Sequence, residues 1–301
     1  PKFFHPDPTV KRQSGFLMPS FESSNLVGTA FSLPYFYAIS DNKDLTIKPR
    51  FYSTNKMLTQ SEFRVVNANS KHTVDASILS EKELSSNNHF FSNSYRELDF
   101  DSFDDSSLSF QVQRVTGNTY LKKYKLRSPL IDDTSTLTST VKFSSTREDL
   151  SLEVEMIAYE DLGEEKSSDK YEFVYPNYSL RKKLKTGLVA IGDFNLDSSG
   201  YMKNYNTNIF EKVVINDFLF SSYPTFSNSG LKNNYNILIK NTNTDSKNSI
   251  EYKEKLDTKI ATLLEYNSSY PLEKKTSDFT NILKPIISAR YSPNKSKNAR
   301  E

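Results

Sequence analysis

The chain has 301 residues, 39 basic and 37 acidic side chains for a net charge of +2, and no cysteine. Interspersed, nearly balanced charge argues against a nucleic-acid partner, and the cysteine count removes disulfide and thiol chemistry from this stretch. Hydrophobic residues make up only 36%, while 18 Tyr and 21 Phe carry much of the aromatic content. No run approaches the roughly 20 apolar residues of a membrane-crossing helix, which excludes a helical membrane protein but not a barrel, whose strands are apolar on one face only.

From the N-terminus, Ser14–Phe21 and Gly28–Ser40 read as strands, each with a proline in its middle, Pro19 and Pro34. Proline has no N–H to give a ladder and belongs at strand edges or bulges. Two neighbouring strands that both break this rule suggest a sheet built to part there; static bulges are the alternative. Leu45, Ile47, Pro49 and Phe51 then alternate with Thr46, Lys48, Arg50 and Tyr52, between the turn residues Asp41-Asn42 and Thr54-Asn55. Leu137–Ser145, a turn at Arg147–Asp149 and Leu150–Tyr159 follow, the last with Leu150, Leu152, Val154, Met156 and Ala158 on one side. Tyr235–Lys240 alternates likewise, and Asn241–Asn248 reads as a polar connection. Glu251–Leu264 has Leu256, Ile260 and Leu264 at helical spacing, but Tyr266–Leu272 continues an extended pattern, so a strand is expected. Longer polar connections are expected at Ser80–Asn88, Asp99–Ser107, Leu162–Lys170 and Ser198–Asn208. Through Ile282–Tyr291 this makes roughly fourteen strands of about 9–11 residues, the length of a tilted bilayer crossing. The expected fold is all-β, an antiparallel transmembrane β-barrel wall. An open sheet leaves edges that lipid cannot satisfy, so the chain reads as a partial wall of a larger barrel and as part of a longer protein.

Catalysis finds little support. His5, His72 and His89 are scattered, stand in no nucleophile motif and read as surface or loop residues. Asp99, Asp101, Asp104 and Asp105 lack the glycine and terminal glutamate of a calcium loop and read as solvated. With 8 glycines and no GxGxxG or P-loop, neither an enzyme, a cofactor nor a metal is expected. The basic clusters Lys122, Lys123, Lys125, Arg127 and Arg181, Lys182, Lys183, Lys185 either flank strands at the water boundary or meet anionic phosphates. Lys48, Arg50 and Arg64 on early strands are candidates for facing a polar interior. Tyr35, Phe36, Tyr37, Phe51 and Tyr52 fit an aromatic girdle.

HPDPTVKRQSGFLMPSF, LPYFYAI, LTIKPRFYS and SEFRVV, followed in order by NTYLKKY, EFVYPNYSL, VINDFLFSS, GLKNNYNILIKNTNTDSKNS and ILKPIISARYSP, resemble the LptD family of lipopolysaccharide-assembly proteins, along essentially the whole chain. The resemblance implies a cell outer membrane barrel of about 26 strands. This chain would supply a little over half of them. Residues 1–13 would lead out of a periplasmic jelly-roll domain, and residues 14–301 would form the N-terminal part of the barrel. It further implies that Pro19 and Pro34 weaken a lateral gate that releases lipid into the outer leaflet while glycan passes through the lumen. The implied partners are lipopolysaccharide, outer-membrane lipid, an LptE-type lipoprotein plug and a periplasmic bridge protein, with no nucleic acid. On the residues alone, another outer-membrane porin or uptake barrel, or a soluble β-sandwich binding module, stays open. Exposure of the alternate apolar positions separates barrel from sandwich.

Overall fold

The computed structural model describes residues 12–81, 87–163, 169–184, 191–206 and 208–293. These form twenty β-strands and one helical turn, and eighteen of the strands belong to one antiparallel sheet. The all-β, antiparallel expectation holds. Joined across their proline breaks, and leaving aside one two-residue stub, the strands make fifteen passes, one more than expected. Of the segment 1–13, all but Arg12 and Gln13 lies outside the described residues, as do His5 and Lys185. The chain divides into two compact units, residues 1–99, 106–143 and 157–172 in the first, and residues 100–105, 144–156 and 173–301 in the second.

In chain order the strands begin with β1 (Gly15–Phe16), β2 (Ser20–Ser24), β3 (Gly28–Ser32), β4 (Tyr35–Ser40) and β5 (Lys43–Tyr52). Next come β6 (Met57–Asn67), β7 (Ser70–Ser80), β8 (Asn88–Leu98) and β9 (Asp105–Val115), then the helical turn α1 (Tyr120–Lys123). β10 (Thr136–Arg147) and β11 (Leu150–Asp161) follow the alternation read from sequence. Two-residue turns at Asp41-Asn42 and Ala68-Asn69 close the hairpins β4–β5 and β6–β7, each with an asparagine in second place, a residue suited to tight turns.

Register in the first unit sorts side chains onto two unlike faces. Ile47, Phe51, Met57, Phe63, Ile78, Phe90 and Phe110 share one face of β5–β9, and Phe51 is 48% and Ile78 54% exposed. The opposite face carries Asp44, Arg50, Gln60, Thr73, Asp75, Ser77, His89 and Gln113, all buried. A water-soluble fold buries its apolar face, and a β-sandwich packs it between two sheets. This sheet does the reverse. The polar face is covered by the connection between β9 and β10, residues 116–135, whose Tyr120, Leu121, Tyr124 and Leu126 pack on Tyr52, Leu58, Leu79 and Phe91.

The second unit contains most of β12 (Tyr171–Leu184), with β13 (Gly192–Tyr205), β14 (Ile209–Ser222), the stub β15 (Thr225–Phe226), β16 (Lys232–Lys247) and β17 (Asp257–Ser269). It closes with β18 (Leu272–Lys275), β19 (Thr280–Leu283) and β20 (Ile286–Tyr291). The expected helix-or-strand ambiguity at Glu251–Leu264 resolves as a strand that starts at Asp257. Two expected connections are strands instead: Ser198–Tyr205 lies in β13, and Asn241–Lys247 lies in β16. Their polar side chains are satisfied laterally. Ser198 Oγ donates to Asn216 Oδ1 (2.7 Å), Asn216 Nδ2 to Asn241 Oδ1 (3.1 Å), and Thr258 Oγ1 to Asn243 Oδ1 (2.9 Å). Gly200 is required in this strand, because a Cβ there would stand 2.6 Å from the Val213 carbonyl and 2.9 Å from the Tyr178 ring.

Candidate functional site

Two places in the first unit concentrate chemistry: the proline-broken first hairpin, and the covered polar face beside it.

Pro19 and Pro34 both fall in gaps of the ladder. β1 pairs with β4 and β2 with β3, so the first strand is interrupted at Leu17–Pro19 and the second at Leu33–Pro34. Three residues oppose two, and the register therefore slips by one across the break, the arithmetic of a β-bulge. A one-residue slip turns a strand over. Here it lets Phe16 and Phe21, five residues apart, point to the same side, where Phe16 meets the Tyr35 ring (centroids 5.1 Å) and Phe21 meets Phe31 (5.0 Å). One hydrogen bond spans the gap, from Leu17 N–H to the Pro34 carbonyl (2.8 Å). Pro19 is exposed and Pro34 buried. Among the described residues, β1 is paired with β4 and β2 with β3.

The three candidate cations share the polar face but have different duties. Arg50, 2% exposed, donates from Nη1 to the Tyr124 carbonyl (2.6 Å) and lies 3.6 Å from Glu22 of β2. It thereby ties the first hairpin to the covering segment. Arg64 donates to Asp44 (2.8 Å), which also accepts from Arg12 (2.6 Å), so one buried carboxylate gathers a guanidinium from β6 and one from the segment before β1. Lys48 stands opposite Gln60, half-buried, with no hydrogen bond or ion pair among the described residues.

Between them lies a network that the sequence did not reveal. Gln60 Nε2 donates to both Asp75 oxygens (3.1 and 3.0 Å) and to the Arg127 carbonyl (3.0 Å). Ser77 Oγ lies 2.5 Å from His89 Nδ1 and 2.8 Å from Tyr120 Oη, and His89 Nε2 is 3.4 Å from Asp75 Oδ1. The reading of His89 as a surface or loop residue without a nearby serine is thus corrected: it is buried on β8, and cross-strand register brings Ser77 beside it. His72 is likewise on a strand, β7. The constellation has a catalytic outline, yet the Ser77 hydroxyl is already engaged by Tyr120 and the group is closed over, so it serves as a structural clasp.

The covering segment is held from its own side as well. Tyr124 Oη donates to Glu81 Oε1 (2.9 Å), which also accepts from Lys56 Nζ (3.0 Å), and Gln113 Nε2 donates to the Leu130 carbonyl (2.7 Å). Burial pushes the Tyr120 phenol up to about 12, against the opposing effect of the Ser77 hydrogen bond. Burial, then the Glu81 hydrogen bond, also raises Tyr124. The Lys56 ammonium holds the Glu81 carboxyl below its ordinary value. Lys122, Lys123, Lys125 and Arg127 point away from the sheet while Tyr120, Leu121, Tyr124 and Leu126 point into it. That apolar spacing inside a basic stretch is the signal that sequence reading passed over. In the second cluster, Arg181 and Lys183 pair with Asp197 (3.0 Å) and Asp193 (2.9 Å) on one face of β12.

An antiparallel sheet with one polar, covered face and one apolar, exposed face is how strands are built to meet hydrocarbon. Comparison with known proteins points in a compatible direction. No protein-family model matches the chain. The LPS-assembly protein LptD of Pseudomonas aeruginosa (strain LESB58) is 38% identical over 73 residues, 24% of this chain and 8% of that protein. Its counterparts in Burkholderia cenocepacia (strain HI2424) and Burkholderia pseudomallei (strain 1710b) are 28% identical over 127 residues and 36% over 80, covering 42% and 26% of this chain. The chain is a distant relative of LptD proteins and spans between 8% and 16% of the length of these curated relatives. The likeness read along the whole chain is supported over 24–42% of it. Among solved structures, a bacterial polysaccharide outer membrane secretin matches 88% of this chain and 84% of its own at 10% identity and a TM-score of 0.31, a likeness too remote to carry an argument.

Proposed function

We propose that this chain forms part of the wall of an outer-membrane β-barrel that assembles lipopolysaccharide into the outer leaflet. The glycan travels along the polar face, and the lipid leaves where the first hairpin is poorly zipped. The observation that carries this reading is the inverted burial of the first unit, with phenylalanine and isoleucine outward and aspartate, arginine, glutamine and histidine inward. The distant likeness to LptD proteins supplies the substrate class. The lateral gate is assigned to Pro19 and Pro34, which remove two donors from neighbouring strands. Each missing bond is worth about 0.5–1.5 kcal/mol net, and more where no water can substitute. Lys48 and Arg64 are the cations of the polar face nearest to a passing phosphate, whereas Arg50 holds the covering segment in place. The reading includes an LptE-type lipoprotein plug and a periplasmic bridge protein as partners. Its mechanism is guidance without bond breaking, so no enzyme activity is assigned.

The test is a Pro19→Val, Pro34→Val double variant in the whole protein that carries this chain, with lipopolysaccharide at the cell surface quantified by antibody labelling. Restored ladder bonds are expected to lower surface lipopolysaccharide severalfold at equal protein abundance. Unchanged labelling would sink the gate.

A further inference from the structure

Beneath residues Pro129 and Leu130 of the covering segment lies a pocket of about 490 Å³, lined by Glu62, Arg64, Lys71, Thr73, Asn93 and Tyr95. Register explains its composition. Arg64 stands opposite Thr73, Thr73 opposite Asn93, and Lys71 opposite Tyr95, so three adjacent strands present these side chains on the polar face. The roof is pinned by the Gln113–Leu130 and Gln60–Arg127 hydrogen bonds. The volume falls within the range of small-molecule sites.

We propose that this pocket is a binding subsite for an anionic sugar unit. The inference deepens the proposed passage of a glycan along the polar face and rests on that reading for its biological setting. Its chemical basis is the set of uncommitted groups. Arg64 is engaged with Asp44 (2.8 Å) and with Glu62 (3.5 Å). The Lys71 ammonium, the Asn93 amide and the Tyr95 hydroxyl have no hydrogen bond or ion pair among the described residues. One free ammonium offers a charge-assisted contact to a carboxylate or phosphate carried on the sugar. The amide offers both donor and acceptor to ring hydroxyls. Tyr95, 41% exposed, offers an aromatic face to the C–H side of a pyranose. A free phosphate fits less well, because a single ammonium supplies neither a bidentate guanidinium nor a nest of backbone N–H groups. A lipid headgroup fits less well too, since the lining offers no apolar channel for its chains.

The test uses the whole protein in detergent micelles, titrated with glucuronate, glucose and inorganic phosphate and followed by ligand-observed NMR. Glucuronate is expected to bind about tenfold tighter than either glucose or phosphate. Lys71→Gln should reduce glucuronate to the level of glucose, Lys71→Arg should keep the preference, and Tyr95→Ala should weaken both sugars. Equal binding of glucose and glucuronate overturns the anionic assignment. Phosphate binding as tightly as glucuronate, with no response to Tyr95→Ala, overturns the sugar assignment. No binding of any probe overturns the subsite. The transport reading fails separately: normal surface lipopolysaccharide in the proline double variant, with Lys71-dependent glucuronate binding intact, removes the passage and leaves the subsite standing.

Discussion

Two hairpins in this chain are interrupted by a pair of prolines, Pro19 with Pro34 in β1–β4, and Pro271 with Pro285 in β17–β20. In the second, the ladder runs from Ser269 opposite Ile286 to Leu272 opposite Leu283 without a change of register, and Tyr270 N–H reaches the Pro285 carbonyl (3.0 Å). In the first, three residues face two and the register slips. Both hairpins lose donors, but only the first also changes which side each residue faces. The slipped break therefore separates two strand segments, each with its own outward phenylalanine. The in-register break leaves one continuous pleat. Loss of hydrogen bonds is common to both hairpins; the register slip belongs to the first alone.

The largest effect should come from repairing the two breaks separately. Pro19→Val with Pro34→Val should cut surface lipopolysaccharide severalfold, whereas Pro271→Val with Pro285→Val should leave it within about twofold, since that ladder already keeps its register. Equal losses from both pairs would collapse the distinction. Next in size is Arg50→Ala, which strips the first hairpin of its tie to Tyr124 and Glu22 and should cost about 2–4 kcal/mol. Cleavage by protease within residues 116–133 would report it. The matching change in the other hairpin, Glu265→Ala, removes bonds to Asn236 and Asn267 (3.0 and 2.8 Å) and the contact with Arg290. It should cost clearly less than Arg50→Ala, because the Arg290 partner is exposed. Asp44→Asn frees Arg12 and Arg64 together and should speed amide exchange in β1 and β2 by about tenfold while leaving β20 unchanged.

The smallest effect is that of pH. Glu81 lies below the ordinary glutamate value of 4.5, chiefly through Lys56. Its contribution is full above that value and fades as pH falls through its lower folded value. Residues 116–133 should therefore become protease-sensitive only on acidification below about pH 4.5.

Much of this was legible in the residues. Pro19 and Pro34 announced the ladder gap, Asp41-Asn42 the turn, and Leu150–Tyr159 the strand β11. Ser198–Tyr205 and Asn241–Lys247 misled because asparagine and serine read as loop residues when their hydrogen-bonding partners lie on other strands. The bonds from Ser198 to Asn216 and on to Asn241 depend on register across three strands, which composition does not encode. The Ser77–His89–Asp75 group was hidden for the same reason. Residues 116–133 were missed because Tyr120, Leu121 and Tyr124 are too few to mark a buried face without the sheet they cover.

The tight turns of the first unit carry a further consequence. At Asp41-Asn42 and Ala68-Asn69 the backbone has no slack, and an inserted residue would displace two ladders at once. Insertions should consequently be tolerated better at the opposite end of these strands, in the turn at residues 53–56 between β5 and β6.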